Sequence, residues 1–297
     1  MGITVLLNRG GGAVAADQQI ADKVEAALSQ AGVDAHIELI DGGEYEVRCR
    51  TAAERGDALV IVGGGDGTIS AAASVLAGTD TRLGILPLGT LNHFARDLGL
   101  PTDVVEAAKV IAAGVERQVD IGDMNGRTFI NNSAIGLYPL MVVDRDTQRK
   151  RLGRSKRLAM LVASARTMLR FNHHRLTLQA NDEQERIDTP LLFVGNNDYR
   201  LDLGGAGQRE SLQDGKLFVL VMRKKTRRGL IAASIRALLN RARPDDMVRM
   251  EDVQRLRVSS SRSMLPVSFD GEVVEAKTPL EYRIRHNALR VIVPDGQ

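Results

Sequence analysis

The run Val60-Ile61-Val62-Gly63-Gly64-Gly65-Asp66-Gly67-Thr68 constrains this chain more than any other stretch of it. Branched apolar residues up to Val62 ask for a buried strand. The glycines at 63, 64, 65 and 67 then allow a tight turn, and helical spacing resumes over Ile69 to Leu76. Glycines let backbone N–H groups approach a ligand, and a helix start adds partial positive charge, so phosphate is the natural guest and the loop is a candidate nucleotide cradle. No Gly-Lys-Thr follows, so this is not a Walker A loop, and the glycine spacing is not the Rossmann Gly-x-Gly-x-x-Gly. Asp66 would repel a triphosphate unless it faces a metal ion or a transferable proton. It therefore points to Mg2+ and phosphoryl transfer rather than to redox chemistry. The plain alternative is a glycine-rich turn with Asp66 as a helix cap.

Around this run strand and helix patterns alternate. Ile3 to Leu7 reads as a strand ended by Asn8-Arg9-Gly10-Gly11-Gly12, and Ala15 to Ala31 as a helix closed by Gly32. Strands are expected over Ala35 to Ile40, Ala58 to Val62 and Leu83 to Leu86, with helices over Tyr45 to Arg55, Ile69 to Leu76 and Val104 to Ala113. That alternation predicts an α/β fold with a parallel sheet wrapped by helices. After Asp120 the texture changes to short β-branched and polar segments: Arg175 to Leu178, Leu191 to Val194, Leu217 to Met222, Leu256 to Val258, Val267 to Phe269 and Arg290 to Val293. Such segments predict a second, β-rich, sandwich-like or barrel-like domain. Two amphipathic helices interrupt it, one with an apolar stripe Leu158, Leu161, Val162, Ala165 and Leu169, the other from Leu230 to Leu239 before Pro244. The expected domains are 1–120 and 121–297, with the last strand a candidate to return to the first.

Charge divides at the same place. Residues 1–120 carry 9 Lys and Arg against 17 Asp and Glu, and residues 121–297 carry 31 against 20. Arg145 to Arg175 holds ten basic residues against the single acid Asp146, and Arg223 to Arg243 holds eight against none. This density suggests a polyanionic surface, read as an anionic membrane. Nucleic acid is disfavoured because only 3% of residues are aromatic and none is Trp, which leaves little to stack on bases. Cys49 is the single cysteine, so an internal disulfide or thiolate zinc site is excluded and a reducing, cytoplasmic setting is expected. No window has the length of a membrane span or the plan of a signal peptide. A peripheral position on the inner face of the membrane follows as the expectation.

Several ordered motifs resemble one family, the diacylglycerol kinase catalytic-domain superfamily, and within it the bacterial soluble lipid kinases of the YegS and DgkB type. Asn8 to Gly12 is similar to its first-strand Asn and small-residue turn, and Gly64 to Thr68 to its Gly-Gly-Asp-Gly-Thr. Pro87-Leu88-Gly89-Thr90-Leu91-Asn92-His93-Phe94-Ala95 resembles Pro-x-Gly-Thr-x-Asn-Asp-Phe-Ala, and Val119-Asp120-Ile121-Gly122 the stretch that ends the first domain. Gly195-Asn196, Gly204-Gly205, Asp214-Gly215 and Phe269-Asp270-Gly271-Glu272 match landmarks of the second.

The resemblance implies ATP contacts from Asn8, Gly10, Gly11, Gly12, Gly64, Gly65, Asp66, Gly67, Thr68, Ser70, Thr90 and Asn92. It implies that Asp270 takes the proton from a lipid hydroxyl as it attacks the γ-phosphate, with Glu272 close by, and that Asp66 and Asp120 belong to an acidic network around the catalytic Mg2+. A second, structural Mg2+ would take Asp214 and the carbonyls of Ser211 and Lys216. Three positions depart from the pattern: His93 stands where the family has Asp, Ser70-Ala71 where it often has Asn-Glu, and Asp41-Gly42-Gly43 lacks a frequent Thr. His93 reads first as a structural helix-start residue, with a hydrogen-bonding or proton-sensitive role as alternatives. The expected activity is an ATP- and Mg2+-dependent kinase acting on a membrane lipid such as diacylglycerol, in a cleft between the two domains. A soluble-metabolite kinase of the NAD kinase type and a nucleotide-binding regulator without turnover are the rivals, and a homodimer stays open.

Overall fold

Along the first third of the chain strands and helices alternate: β1 (Ile3–Asn8), α1 (Ile20–Gln30), β2 (Ile37–Ile40), α2 (Tyr45–Glu54), β3 (Leu59–Gly64), α3 (Asp66–Leu76), β4 (Arg82–Pro87), α4 (His93–Asp97) and α5 (Val104–Ala113). The strands β5 (Glu116–Met124), β6 (Arg127–Phe129), β7 (Asn132–Gly136), β8 (His174–Ala180), β9 (Glu183–Thr189) and β10 (Leu191–Asn196) follow. The chain continues with β11 (Leu217–Met222), β12 (Met247–Val253), β13 (Arg255–Ser260), β14 (Met264–Phe269), β15 (Glu272–Lys277) and β16 (Leu280–Ile292). This structure, a computed structural model, describes residues 2–10, 19–136, 173–181, 183–200, 208–223 and 246–296, together with 226, 228–229, 232–233, 236 and 243. Gly11, Gly12, Gly204 and Gly205, the expected helix at 158–169 with its flanking arginines, and most of that at 230–239 lie outside the described residues.

Two compact units make up the chain. The first comprises Met1–Ile121, Ser211–Asp214 and Arg285–Gln297, and the second Gly122–Glu210 and Gly215–Ile284. In the first unit a parallel sheet runs in the order β2-β1-β3-β4, and the end of β16 lies parallel beside β4, with Val291 opposite Leu83. Its strands are short apolar runs because both faces are covered. Val24, Ala27 and Leu28 of α1 and Ala107, Ala108 and Ile111 of α5 bury one face against Val5, Leu7, Ile61 and Leu86. Leu6, Val60 and Val62 alternate to the other face, where right-handed crossovers place α2 and α3. Helix α5 has sharp local limits: the Asp103 carboxylate accepts from the Val105 and Glu106 amides (3.0 and 3.1 Å) at its start, and Gly114 takes a left-handed conformation at its end.

The second unit is an all-antiparallel sandwich. One sheet has the order β12-β11-β10-β7-β14-β15, and the other runs β9-β8-β13 to the first part of β16. Ile135, Leu192, Val194, Val219, Val267 and Phe269 from the first sheet share one core with Leu176, Leu178, Leu256, Val258, Leu280 and Tyr282 from the second. Strand alternation sends every second residue of each strand into that layer.

A buried acid stabilises the start of β3. Asp57, only 4% exposed, accepts from Thr4 Oγ1 at 2.6 Å and from the exposed Arg55 guanidinium. The Arg55 hydrogen bond holds the Asp57 carboxyl below the usual carboxylate range against the upward push of burial, with the Thr4 hydroxyl helping. A depressed folded-state value contributes stability above the unfolded pKa, and that contribution disappears as pH falls through the folded value. Asp57→Asn is therefore expected to lower Tm by several degrees at pH 7, with the gap from wild type closing as the pH is taken below about 4. Thermal melts across that range check it, and a gap that does not change with pH would count against an ionic role for Asp57.

Candidate functional site

The carboxyl ends of the four parallel strands are level. Asn8 pairs with Ile40, Leu7 with Gly63, and Gly64 with Pro87. From β1 the chain steps to β2 on one side and returns through β3 on the other, so the strand order reverses between β1 and β3. In open α/β sheets that reversal opens a crevice at the carboxyl edge where ligands bind. Asn8 bridges it: its Nδ2 donates to Thr68 Oγ1 at 2.8 Å, and its Oδ1 accepts from the Gly10 amide at 3.0 Å. One side chain thereby fastens the turn after β1 to the first turn of α3.

Glycine is required here for close approach. A Cβ on Gly64 would stand 2.7 Å from the Thr68 side chain, and one on Gly89 only 2.4 Å from the Gly65 Cα. The turns after β3 and β4 thus touch backbone to backbone. Asn92, buried and left-handed at φ 50°, closes the second turn. Its Oδ1 accepts from the Gly89 amide (3.0 Å), and its Nδ2 donates to the Pro87 and Gly89 carbonyls (both 3.1 Å). Expected as a nucleotide contact, Asn92 commits its amide to shaping the turn, which leaves Thr90 exposed at the tip. Asp66 links the two turns, its Oδ1 accepting from the Phe94 amide at 3.1 Å, and His93 is the first residue of α4. Helix α3 begins at Asp66 and not at Ile69, so the backbone amides of its first turn, which lack helical carbonyl partners, emerge directly from the glycine turn. Ser70 follows within α3.

Asp120 is not part of this cluster. It sits beside Asn287, on the side of the Val291–Leu83 pair away from Pro87; its Oδ1 accepts from the Asn287 amide at 2.8 Å, and His286 Nδ1 lies 2.8 Å from the same oxygen. Its expected share in a metal network with Asp66 has no counterpart in this placement, because the strand direction carries the two residues to opposite ends of the sheet. Ser211 and Asp214 belong to the first unit and Lys216 to the second. Ser211 Oγ accepts from the Gln213 amide (3.0 Å), Asp214 is exposed, and the Lys216 ammonium pairs with Asp198 at 2.9 Å.

In the second unit Asp270 and Gly271 form the two-residue tip of the β14–β15 hairpin, both at positive φ (45° and 89°), the geometry that favours Asp-Gly. The Asp270 carboxylate accepts from three successive backbone amides, Ile130 (2.9 Å), Asn131 (2.8 Å) and Asn132 (3.0 Å). Glu272 is exposed and pairs loosely with Arg127 at 3.6 Å. Sequence reasoning missed the partners of this anchor. The buried Arg209 donates to the Ile130 carbonyl and to Asn131 Oδ1 (2.6 and 2.9 Å), Asn196 Nδ2 to the Ile130 carbonyl (2.9 Å), and Tyr199 to the Asn131 carbonyl (2.9 Å). Gly195-Asn196 was the only local signal, since the other partners come from distant segments. Cys49 is no nucleophile: burial pushes its thiol up to about 12.

Residues 2–124 match the family model described as diacylglycerol kinase catalytic domain, and residues 141–293 that described as YegS C-terminal NAD kinase beta sandwich-like domain. The chain belongs to the diacylglycerol kinase family. Among relatives of this family, a diacylglycerol kinase of Bacillus subtilis is 27% identical over 85% of this chain and 83% of its own length. A YegS-like protein of Chromohalobacter salexigens is 32% identical over 78% of this chain and 75% of its own. A crystal structure of a diacylglycerol kinase from Bacillus anthracis shares the fold with a TM-score of 0.72, at 20% identity, over 99% of this chain and 97% of that one.

Two substitutions test the geometry. Gly89→Ala forces a methyl against the Gly65 backbone and is expected to lower Tm and abolish nucleotide binding, whereas Gly67→Ala, with nothing within 4 Å of the added Cβ, should keep the fold. Thermal shift with and without ATP reads both. Asp270→Asn exchanges one acceptor oxygen for an NH2 facing backbone amides, so it is expected to cost on the order of 2–3 kcal/mol of stability besides any loss of turnover. Unchanged urea unfolding would show that the three amide bonds contribute little.

Proposed function

We propose that this protein transfers the γ-phosphoryl group of ATP, with Mg2+, to the hydroxyl of a membrane lipid such as diacylglycerol. The observation that carries this reading is the glycine cradle at the strand-order reversal, where the start of α3 presents backbone amides and Asp66 stands at the same turn. Asn8, Gly10, Gly64 to Thr68, Ser70 and Thr90 are the candidate ATP contacts in it. The amides bind phosphate oxygens and orient the chain of phosphates, which is most of what phosphoryl transfer asks of a protein.

Magnesium supplies neutralisation of the phosphate charge when bound. Asp66 offers a hard carboxylate oxygen suited to it, and among the described residues no group of three His, Cys, Asp or Glu converges. Phosphates and water would complete its shell, as Mg2+ prefers. For the structural ion, the exposed Asp214 with the carbonyls of Ser211 and Lys216 remains the candidate set. Asp270 is the candidate to accept the hydroxyl proton, oriented by its three amide bonds, with Glu272 nearby in sequence.

The lipid assignment draws on the names of the relatives and on the basic residues of the second half. Among the described residues no helix is long and apolar enough to cross a membrane, so contact with the inner leaflet would be peripheral and electrostatic. Arg149, Lys150, Arg151, Arg154, Lys156 and Arg157 lie outside the described residues and are the proposed docking cluster. Each basic residue near an anionic leaflet contributes about 1 kcal/mol. Reversing three of them to Glu should reduce sedimentation with phosphatidylglycerol vesicles, as should high salt; equal binding to neutral vesicles would sink this docking.

Incubating the purified protein with labelled ATP, Mg2+ and a total lipid extract, beside a parallel reaction with NAD, tests the activity. Phosphatidic acid or another labelled lipid is the expected product, and it should vanish with Asp66→Asn. Label only in the dinucleotide would overturn the lipid reading.

A further inference from the structure

The Asp270 carboxylate is held only as firmly as the three amides it accepts from, and two of those amides belong to a bend. Ile130 and Asn131 lie between the end of β6 at Phe129 and the start of β7 at Asn132, outside both strands. Their carbonyls need partners from elsewhere, as backbone groups that leave water do. The Ile130 carbonyl accepts from Arg209 Nη1 (2.6 Å) and Asn196 Nδ2 (2.9 Å), and the Asn131 carbonyl from the Tyr199 hydroxyl and the Asn196 amide, both at 2.9 Å. Each of these carbonyls shares a peptide unit with the next residue's amide. The Ile130–Asn131 unit thus takes Arg209 on its oxygen and gives its N–H to Asp270 Oδ1 at 2.8 Å, and the Asn131–Asn132 unit takes Tyr199 and gives its N–H to the same oxygen at 3.0 Å. Hydrogen bonds linked in this way polarise one another. Arg209 is only 6% exposed, its Nη2 donates to Asn131 Oδ1 at 2.9 Å, and its guanidinium lies over the Tyr199 ring, 5.4 Å from the centre. One cation spans both residues of the bend, and all of these residues lie in the second unit.

We propose that Arg209 is a positioning residue for turnover: it fixes the bend whose amides hold Asp270 in the orientation that accepts the proton of the acceptor hydroxyl. The effect on turnover rests on the kinase reading, in which Asp270 is the candidate base, whereas the grip of Arg209 on the bend does not. The planar fork of a guanidinium serves a carbonyl and an amide oxygen at once, and a lysine ammonium would keep the charge without that span. Misplacing a reacting group by about 1 Å costs on the order of 100-fold in rate, so loosening of the bend is read out at Asp270.

Hydrogen exchange and steady-state kinetics on the full chain test it, using Arg209→Met, Arg209→Lys, Tyr199→Phe and the control Arg200→Met, whose exposed side chain pairs with Glu210. Arg209→Met should speed exchange of the Asn131 and Asn132 amides about tenfold, the weight of one charge-assisted hydrogen bond. It should lower kcat by about tenfold or more, while the ATP KM, whose candidate contacts belong to the first unit, stays within about twofold of wild type. Arg209→Lys should fall between Arg209→Met and wild type in both exchange and kcat, and Arg200→Met should match wild type. If Arg209→Met does not fold, Arg209→Lys and Tyr199→Phe, which removes one donor from the bend, carry the test, and both should raise exchange and lower kcat together. Wild-type kcat despite faster exchange at 131–132 would overturn the proposal, because the bend would then not reach the reaction. So would a tenfold rise in ATP KM with wild-type exchange, which would make Arg209 a nucleotide contact. Equal acceleration throughout β10, β11 and β14 would mark a general loss of stability and would also count against it. A wild type that phosphorylates no lipid would remove the kinase reading and with it the role in turnover, while the exchange rates would still decide whether Arg209 holds the amides that bind Asp270.

Discussion

Backbone contact between the turns after β3 and β4 is the constraint on which the candidate site depends. Gly65 and Gly89 come so close that a Cβ on Gly89 would stand only 2.4 Å from the Gly65 Cα, while one on Gly65 would meet the Gly89 Cα at 3.4 Å. Once the turns touch, Asn92 can span the second with three hydrogen bonds, and the Asp66 carboxylate can reach the Phe94 amide. Asn8 adds the third turn by bonding to Thr68. The result is a rim in which three loops share partners, with the start of α3 at its centre. A rim of that kind holds backbone donors in place before a ligand arrives, which is where binding energy is saved.

Four aspartates illustrate how one side chain is used in different ways according to its donors. Asp57 is buried with a guanidinium and a hydroxyl, and it ties the start of β3 to β1. Asp120 is buried with a backbone amide and an imidazole, where chain segments converge. Asp270 grips three successive amides of a segment about 140 residues away, and Arg209, Asn196 and Tyr199 hold the carbonyls and an Asn131 side chain of the same segment. Asp66 is half-buried and accepts one amide bond among those described here. Each carboxylate that leaves water is matched by donors, as the cost of burying charge requires. That difference in donor sets separates Asp66, with its one amide bond, from Asp57, Asp120 and Asp270, whose oxygens are held by donors from distant segments.

What the sequence determined by itself is local. Glycine spacing after Val62 and the 3.6-residue apolar period after it specify a strand, a turn and a helix, and repetition of that pattern dictates a parallel sheet, because each element must bury its apolar face on the next. Short runs rich in apolar and β-branched residues likewise marked β8, β10, β11, β13 and β14. β9 was illegible: Glu183 to Thr189 is polar nearly throughout and becomes a strand because it pairs residue for residue with β8. Only the end of β16 stood out, since the charged residues of Leu280 to Asn287 hide a strand that pairs with β13. Tertiary structure alone decided the partners of the aspartates. Asp120 meets Asn287 and Asp270 meets Ile130 across separations of 167 and 140 residues, and hydrogen bonds between such distant segments leave no periodic trace in either one. Composition can say that a carboxylate is present, but only the folded chain supplies the donors that determine what it can do.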